Sequence, residues 1–254
     1  MFNWTLSTCL VLVCIPGMLI TGRGLLKTLC KLAADKLPPG RELPPMPVLL
    51  LASIVQSLIL IAVSAAIGTT VAYRVDLHAP FFEALAIGES LWSTVEPQIL
   101  PSLAVGTGGA LVFVAAYYLF SRPRLDEQTV SSMEELRNSI GIWGRVLYGG
   151  IAEEVITRWG LMSLLVWLGT SLAGSPNPAV VWAAIVISGL LFGLGHLSSY
   201  LASGCKKTPL FIGAMISFNL WASLIFGRLF WQVGLLAAMV AHMVFHLVWL
   251  PFDL

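Results

Sequence analysis

The sequence predicts an all-α membrane helix bundle, and three observations predict it. Of its 254 residues 57% are hydrophobic and 11% charged, whereas soluble domains carry about a quarter charged residues. Mean hydropathy is +0.88. The apolar residues also gather into runs of the roughly 20 residues that a helix needs to cross a bilayer.

The first run lies at about 4–21. Its positive charges follow the apolar stretch instead of preceding it, which favours an uncleaved membrane helix over a secretory signal. Further spans are expected at about 46–73, 101–120, 143–170, 178–198, 208–226 and 230–250. Residues 79–100, "APFFEALAIGESLWSTVEPQIL", are interrupted and read as an interfacial segment with Trp92 near the headgroups, or as a short eighth element. The amphipathic segment 124–142, of mixed charge, is expected at the surface. Residues 1–139 form an N-terminal transmembrane region and 140–254 a helical core, together one structural domain.

Basic residues set an orientation. Arg23, Lys27, Lys31, Lys36, Arg41, Arg122, Arg124, Arg137, Lys206 and Lys207 fall in the loops after the first, third and fifth spans, and only Arg74 and Arg228 in the alternate loops. The positive-inside rule then places the N-terminus outside and the C-terminus in the cytoplasm, and a short chain without a targeting segment is expected in a plasma (inner) membrane. A net charge of +1 gives no reason to expect nucleic acid. Cys9, Cys14, Cys30 and Cys205 show no metal-type spacing and read as free thiols.

Ionisable or strongly polar side chains inside spans are costly and point to function. The spans hold Glu153, Glu154, Arg158, His196, Asn219, His242 and His246. Glu154 and Arg158 are spaced i,i+4, as an ion pair on one helix face requires, and Glu153 points about 100° away. Phe192 and His196 share that spacing, as do His242 and His246. On the expected orientation these groups converge in the cytoplasmic half of the membrane. Gly189, Gly193 and Gly195 are expected to serve close helix packing. HExxH and G-x-S-x-G motifs are missing.

"EEVITR", "FGLGH" and "HMVFH" together, each on a predicted span, resemble the CPBP family of glutamic-type intramembrane proteases, related to the type II CAAX prenyl endopeptidases. The resemblance covers about residues 140–250. It implies that Glu153, with His196, activates a water for attack on a peptide carbonyl. It implies that Glu154 and Arg158 support the site and that His242 stabilises the oxyanion. The family usually has asparagine where this chain has His246, and Glu153, His196, His242 and His246 could equally ligate zinc, so a metal-free and a metal-dependent mechanism both stand. Asn219 is an alternative amide donor. The partners implied are the bilayer and a peptide or protein substrate, lipid-modified in part of the family. Two other classes fit the same residues: a catalytically silent scaffold or immunity protein, and a proton-coupled transporter, the latter opposed by the lack of an inverted repeat.

Overall fold

The computed structural model describes the chain apart from residues 1, 35–37, 39, 176 and 254. Among the described residues there are nine α-helices and no strand. They are α1 (Trp4–Ala34), α2 (Met46–Val71), α3 (Pro80–Ile87), α4 (Trp92–Ala116), α5 (Glu127–Gly144), α6 (Ser163–Ala173), α7 (Pro178–Ala202), α8 (Pro209–Gln232) and α9 (Leu235–Trp249). Among the described residues seven helical stretches are long and apolar enough to cross a membrane: Trp4–Thr28, Met46–Val75, Trp92–Arg124, Glu127–Ala173, Pro178–Ala202, Pro209–Gln232 and Leu235–Phe252. Leu51, Ile59, Leu100, Leu119 and Leu172 stay exposed, as a bundle surrounded by lipid tolerates and a soluble one does not. The chain is an integral membrane protein.

Several boundaries differ from the expectation. The 79–100 segment is not one interfacial helix. It divides into α3, which stops at Gly88, and the first turns of α4, which runs through Pro97 and Pro101. The first helix continues past residue 21 to Ala34, carrying Lys27 on helix; Lys36 and the side chains of Arg23 and Lys31 lie outside the described residues. The last span begins at Leu235, because the chain breaks helix at Val233 and Gly234. The amphipathic 124–142 segment is not detached from the fourth span either. α5 runs into it through a kink at Gly141, whose φ of 69° lies in the left-handed region that side-chain-bearing residues rarely adopt.

Beyond the kink the backbone widens to π-type i→i+5 hydrogen bonding over Arg145–Glu153 and Val155–Met162 before α6 resumes the ordinary helix. Such wide turns recur at functional sites. This 145–162 rod runs through the bundle between α1, α2, α7, α8 and α9, so its side chains meet several helices at once.

Small residues bring the helix axes together, since lipid tails leave little hydrophobic drive for helix association. A side chain at Gly17 would strike the Leu147 backbone at 2.6 Å, and one at Gly106 the Ala241 backbone at 2.8 Å. Gly68 abuts Trp159, whose indole N–H donates to the Ala65 carbonyl at 3.3 Å. Between α7 and α8, Gly189 meets Ser223 and Gly193 meets Asn219, as the sequence suggests. Gly195 departs from that expectation: no heavy atom lies within 4 Å of where its Cβ would be, because it borders a cavity.

Outside the spans, Asp126 caps α5. Its carboxylate accepts from the Thr129 amide at 3.2 Å and the Thr129 hydroxyl at 2.8 Å, and pairs with Lys206 at 3.1 Å. The Thr129 hydroxyl accepts in turn from the Lys206 amide at 3.0 Å, tying the α7–α8 loop to the start of α5. These bonds, the Thr129 hydroxyl first, hold the Asp126 carboxyl below the ordinary carboxylate range, while burial of the Cys205 thiol beside it raises that group.

Two outcomes are expected. Gly68→Leu should lower the thermal unfolding midpoint of the detergent-solubilised protein, with an overpacking cost of about 1–3 kcal/mol; an unchanged midpoint would mean that α2 does not seat against Trp159. Because folding depresses the Asp126 carboxyl, its contribution is present above the unfolded value of about 3.9 and fades as pH falls through the folded one. Wild type should therefore exceed Asp126→Asn in stability at neutral pH, and denaturant titrations should show the gap closing below about pH 4.

Candidate functional site

One cavity of about 710 Å³ opens inside the bundle. Glu153, Phe192, His196, Asn219, His242 and His246 all line it. The residues that the sequence singled out on four helical segments are thus brought to one space. Glu154 and Arg158 stand just behind its wall, both 0% exposed.

The two adjacent glutamates take different partners, as their angular separation predicts. Glu154 is the buried one. Its Oε1 accepts from Nδ1 of His242 at 2.8 Å, and its Oε2 stands 3.3 Å from Nε of Arg158. A carboxylate can only accept, so this contact places the His242 proton on Nδ1. In the neutral ring Nε2 then offers a lone pair to the cavity, and it becomes a donor only in the imidazolium. The Arg158 contact is an ion pair without hydrogen-bond alignment. The guanidinium lies 5.8 Å from the Phe226 ring centroid and 6.0 Å from that of Phe192, which supplies part of what water would have given.

Glu153 faces the other way, into the cavity. Its Oε1 is 3.8 Å from Nε2 of His196, longer than a direct hydrogen bond. Nδ1 of His196 lies 3.2 Å from the Phe192 carbonyl. A carbonyl cannot donate, so Nδ1 carries the proton and the Nε2 lone pair is turned towards Glu153. Phe192 packs edge-on against the same imidazole, centroids 4.3 Å apart, and fixes its plane.

His242 and His246 stack on one face of α9 with centroids 4.9 Å apart, and Phe226 stacks on the outer side of His242 at 4.5 Å. Gly149 forms the surface under the pair. A Cβ there would come within 2.9 Å of Nε2 of His246 and 3.5 Å of Nε2 of His242. The two Nε2 atoms therefore converge over bare backbone. Asn219 reaches the cavity too, but its amide nitrogen already donates to the Met215 carbonyl of its own helix at 2.8 Å.

Among the described residues no three His, Cys, Asp or Glu side chains are grouped as metal ligands would be. Gly149 and Phe226 are residues that the sequence reading passed over. The Gly149–Gly150 pair just before the glutamates was the available signal for the first. Nothing local marks Phe226, which acts across helices.

The fold and the site describe a polytopic membrane protein with a carboxylate–histidine constellation inside its helix bundle. Residues 136–248, less than half of the chain, match the family model of the type II CAAX prenyl endopeptidases, Rce1-like, and the matched part contains Glu153, Glu154, Arg158, Phe192, His196, Asn219, His242 and His246. No curated protein and no solved structure matches the chain.

Removing one partner of a buried ion pair strands the other. Arg158→Met should cost about 3–5 kcal/mol of stability, whereas Glu154→Gln combined with Arg158→Met should recover part of it. Chemical denaturation of the three proteins checks this, and a double variant no better than the single one would deny the pairing.

Proposed function

We propose that the chain is an intramembrane endopeptidase that hydrolyses a peptide bond with water activated by Glu153 and His196. The observation that carries this reading is the approach of two acceptors, the Glu153 carboxylate and Nε2 of His196, to 3.8 Å in the wall of a cavity. A water donating one O–H to each keeps its oxygen lone pair free for the substrate carbonyl carbon.

As that oxygen attacks, Glu153 takes the proton and the carbonyl oxygen becomes an oxyanion. His242 and His246, whose Nε2 atoms converge beside Gly149, lie where donors to that oxyanion are needed. His242 serves as a donor in its imidazolium form, with Glu154 holding the ring by Nδ1. Collapse of the intermediate breaks the C–N bond, and the proton held by Glu153 passes to the leaving nitrogen. The products are a carboxylic acid and an amine. Glu154 and Arg158 act as positioning residues, and no step requires a metal.

On this reading residues 140–254 form the catalytic core. The basic-residue asymmetry supports a site facing the cytoplasmic half of the bilayer, with the N-terminus outside and the C-terminus in the cytoplasm. The match of residues 136–248 to a protease family model favours an enzyme over a transporter or a silent scaffold.

Purified protein carrying Glu153→Gln should lose peptidase activity by on the order of 10²–10⁴ with its unfolding midpoint kept. Full activity in that variant would end the proposal. Gly149→Val, which pushes on His246 and His242, should lower kcat with little change in KM; an unaffected kcat would remove the two histidines from the reaction.

A further inference from the structure

The family match covers residues 136–248, yet part of the cavity wall comes from α2, outside that stretch. Gln56 and Leu60 of α2 line the same space as Glu153. Gln56 is the one side chain of α2 that is neither apolar nor a small hydroxyl, and it is exposed.

An amide within a membrane span is costly unless it is hydrogen-bonded, and glutamines in spans commonly bond across helices. The other three glutamines of the chain do bond internally. Gln98 donates to the Thr94 carbonyl at 2.6 Å and accepts from the Ala237 amide at 3.2 Å. Gln128 donates to the Gly204 carbonyl at 3.2 Å, and Gln232 accepts from Nε of Arg228 at 3.1 Å. Among the described residues Gln56 has no such partner, and it borders the cavity instead.

This part of α2 also stands level with the reacting groups. Ser53 and Ser57 share a small pocket with Tyr148. Farther along both elements, a side chain at Gly160 would strike Ser64 at 2.6 Å. α2 and the 145–162 rod therefore advance in the same direction, and Glu153 falls between the two contacts. Gln56 then lies within about one helical turn of the level of Glu153. Packed helix axes are about 8–10 Å apart, a gap that about two or three residues of extended chain span.

Resting on the peptidase reading above, we infer that Gln56 is a backbone clamp. Its side-chain amide pairs with one peptide unit of the bound chain, about two or three residues from the bond that Glu153 attacks. The chemistry selects a peptide over a lipid. A primary amide sets a carbonyl acceptor beside N–H donors, the complement of the N–H and C=O of one peptide unit. An acyl chain offers neither group, and a lipid phosphate offers no donor. A peptide unit drawn into an apolar cavity must in turn satisfy both of its groups. Because the clamp grips main chain, it holds segments of varied sequence in one register with Glu153.

The test uses the full chain in nanodiscs of zwitterionic lipid, with Glu153→Gln so that binding is read without turnover. The probes are a degenerate pool of hexapeptides blocked at both ends and the same pool N-methylated at one backbone position at a time. Retained peptide is quantified by mass spectrometry after gel filtration. Methylation at one position should lower retention about two- to tenfold, the scale of one hydrogen bond. Gln56→Met, close in size, should lower retention of the unmethylated pool by a similar factor and abolish the effect at that position. A merely structural role would weaken every pool alike. Unmethylated retention that Gln56→Met leaves unchanged overturns the clamp, as does an unchanged methylation profile or the lack of retention in every pool. A dimer that Gln56→Met converts to monomer, with retention unchanged, would assign the amide to a second copy of the chain and also overturn it. Should Gln56→Met fail to fold, Gln56→Glu, which keeps the acceptor, must keep the methylation profile, and its loss overturns the clamp. With Glu153 intact, cleavage of the unmethylated pool at a rate that Gln56→Met leaves unchanged would sink the clamp and leave the peptidase. Position-selective retention without cleavage of any pool would sink the peptidase and leave the clamp.

Discussion

The Glu154 carboxylate is the constraint on which the rest of the site depends. Fully buried, it must find partners for its charge, and it finds them on two elements: Arg158 one turn along its own rod and His242 on α9. That fixes the rotation of the rod relative to α9. With Glu154 turned inward to His242, its neighbour Glu153 is carried round to the cavity and to His196 on α7. One desolvated carboxylate therefore determines where the other, partly wet one can act. Buried ion pairs contribute little net stability, and here the return is a unique register between helices.

Packing around this pair depends on the absence of side chains. Gly17, Gly106 and Gly68 let α1, α4 and α2 approach neighbours at backbone distance, which is how helices associate where apolar surface is no advantage. Gly149 applies the same device at the site, clearing room beneath two imidazoles. The aromatic residues have a complementary role. The rings of Phe226 and Phe192 both approach Arg158, while Phe226 stacks on His242 and Phe192 packs edge-on against His196, so a cation and two imidazoles are held without further charges.

The cavity carries charge at two places, and the two are treated differently. Around Glu154 the negative and positive groups are matched across helices. Around Arg137 and Arg145 the Asp253 carboxylate lies between two guanidiniums.

By itself the sequence determined the class of fold, the approximate spans and the residues that had to be explained. Hydropathy does this because lipid imposes one solution on a long apolar run, and a charge placed within such a run is conspicuous. It also gave the i,i+4 pairings of Glu154 with Arg158 and of His242 with His246, since these depend on helical periodicity alone. The continuity of α5 with the fourth span was hidden, because an amphipathic segment and a kinked glycine look alike in a surface helix and in an entry to the membrane. Only the tertiary structure decided that Glu154, and not Glu153, holds His242, that Gly149 underlies the histidines and that Asp253 reaches Arg137 and Arg145. Those contacts join residues that are distant in sequence, and local periodicity carries no information about which faces of separate helices meet.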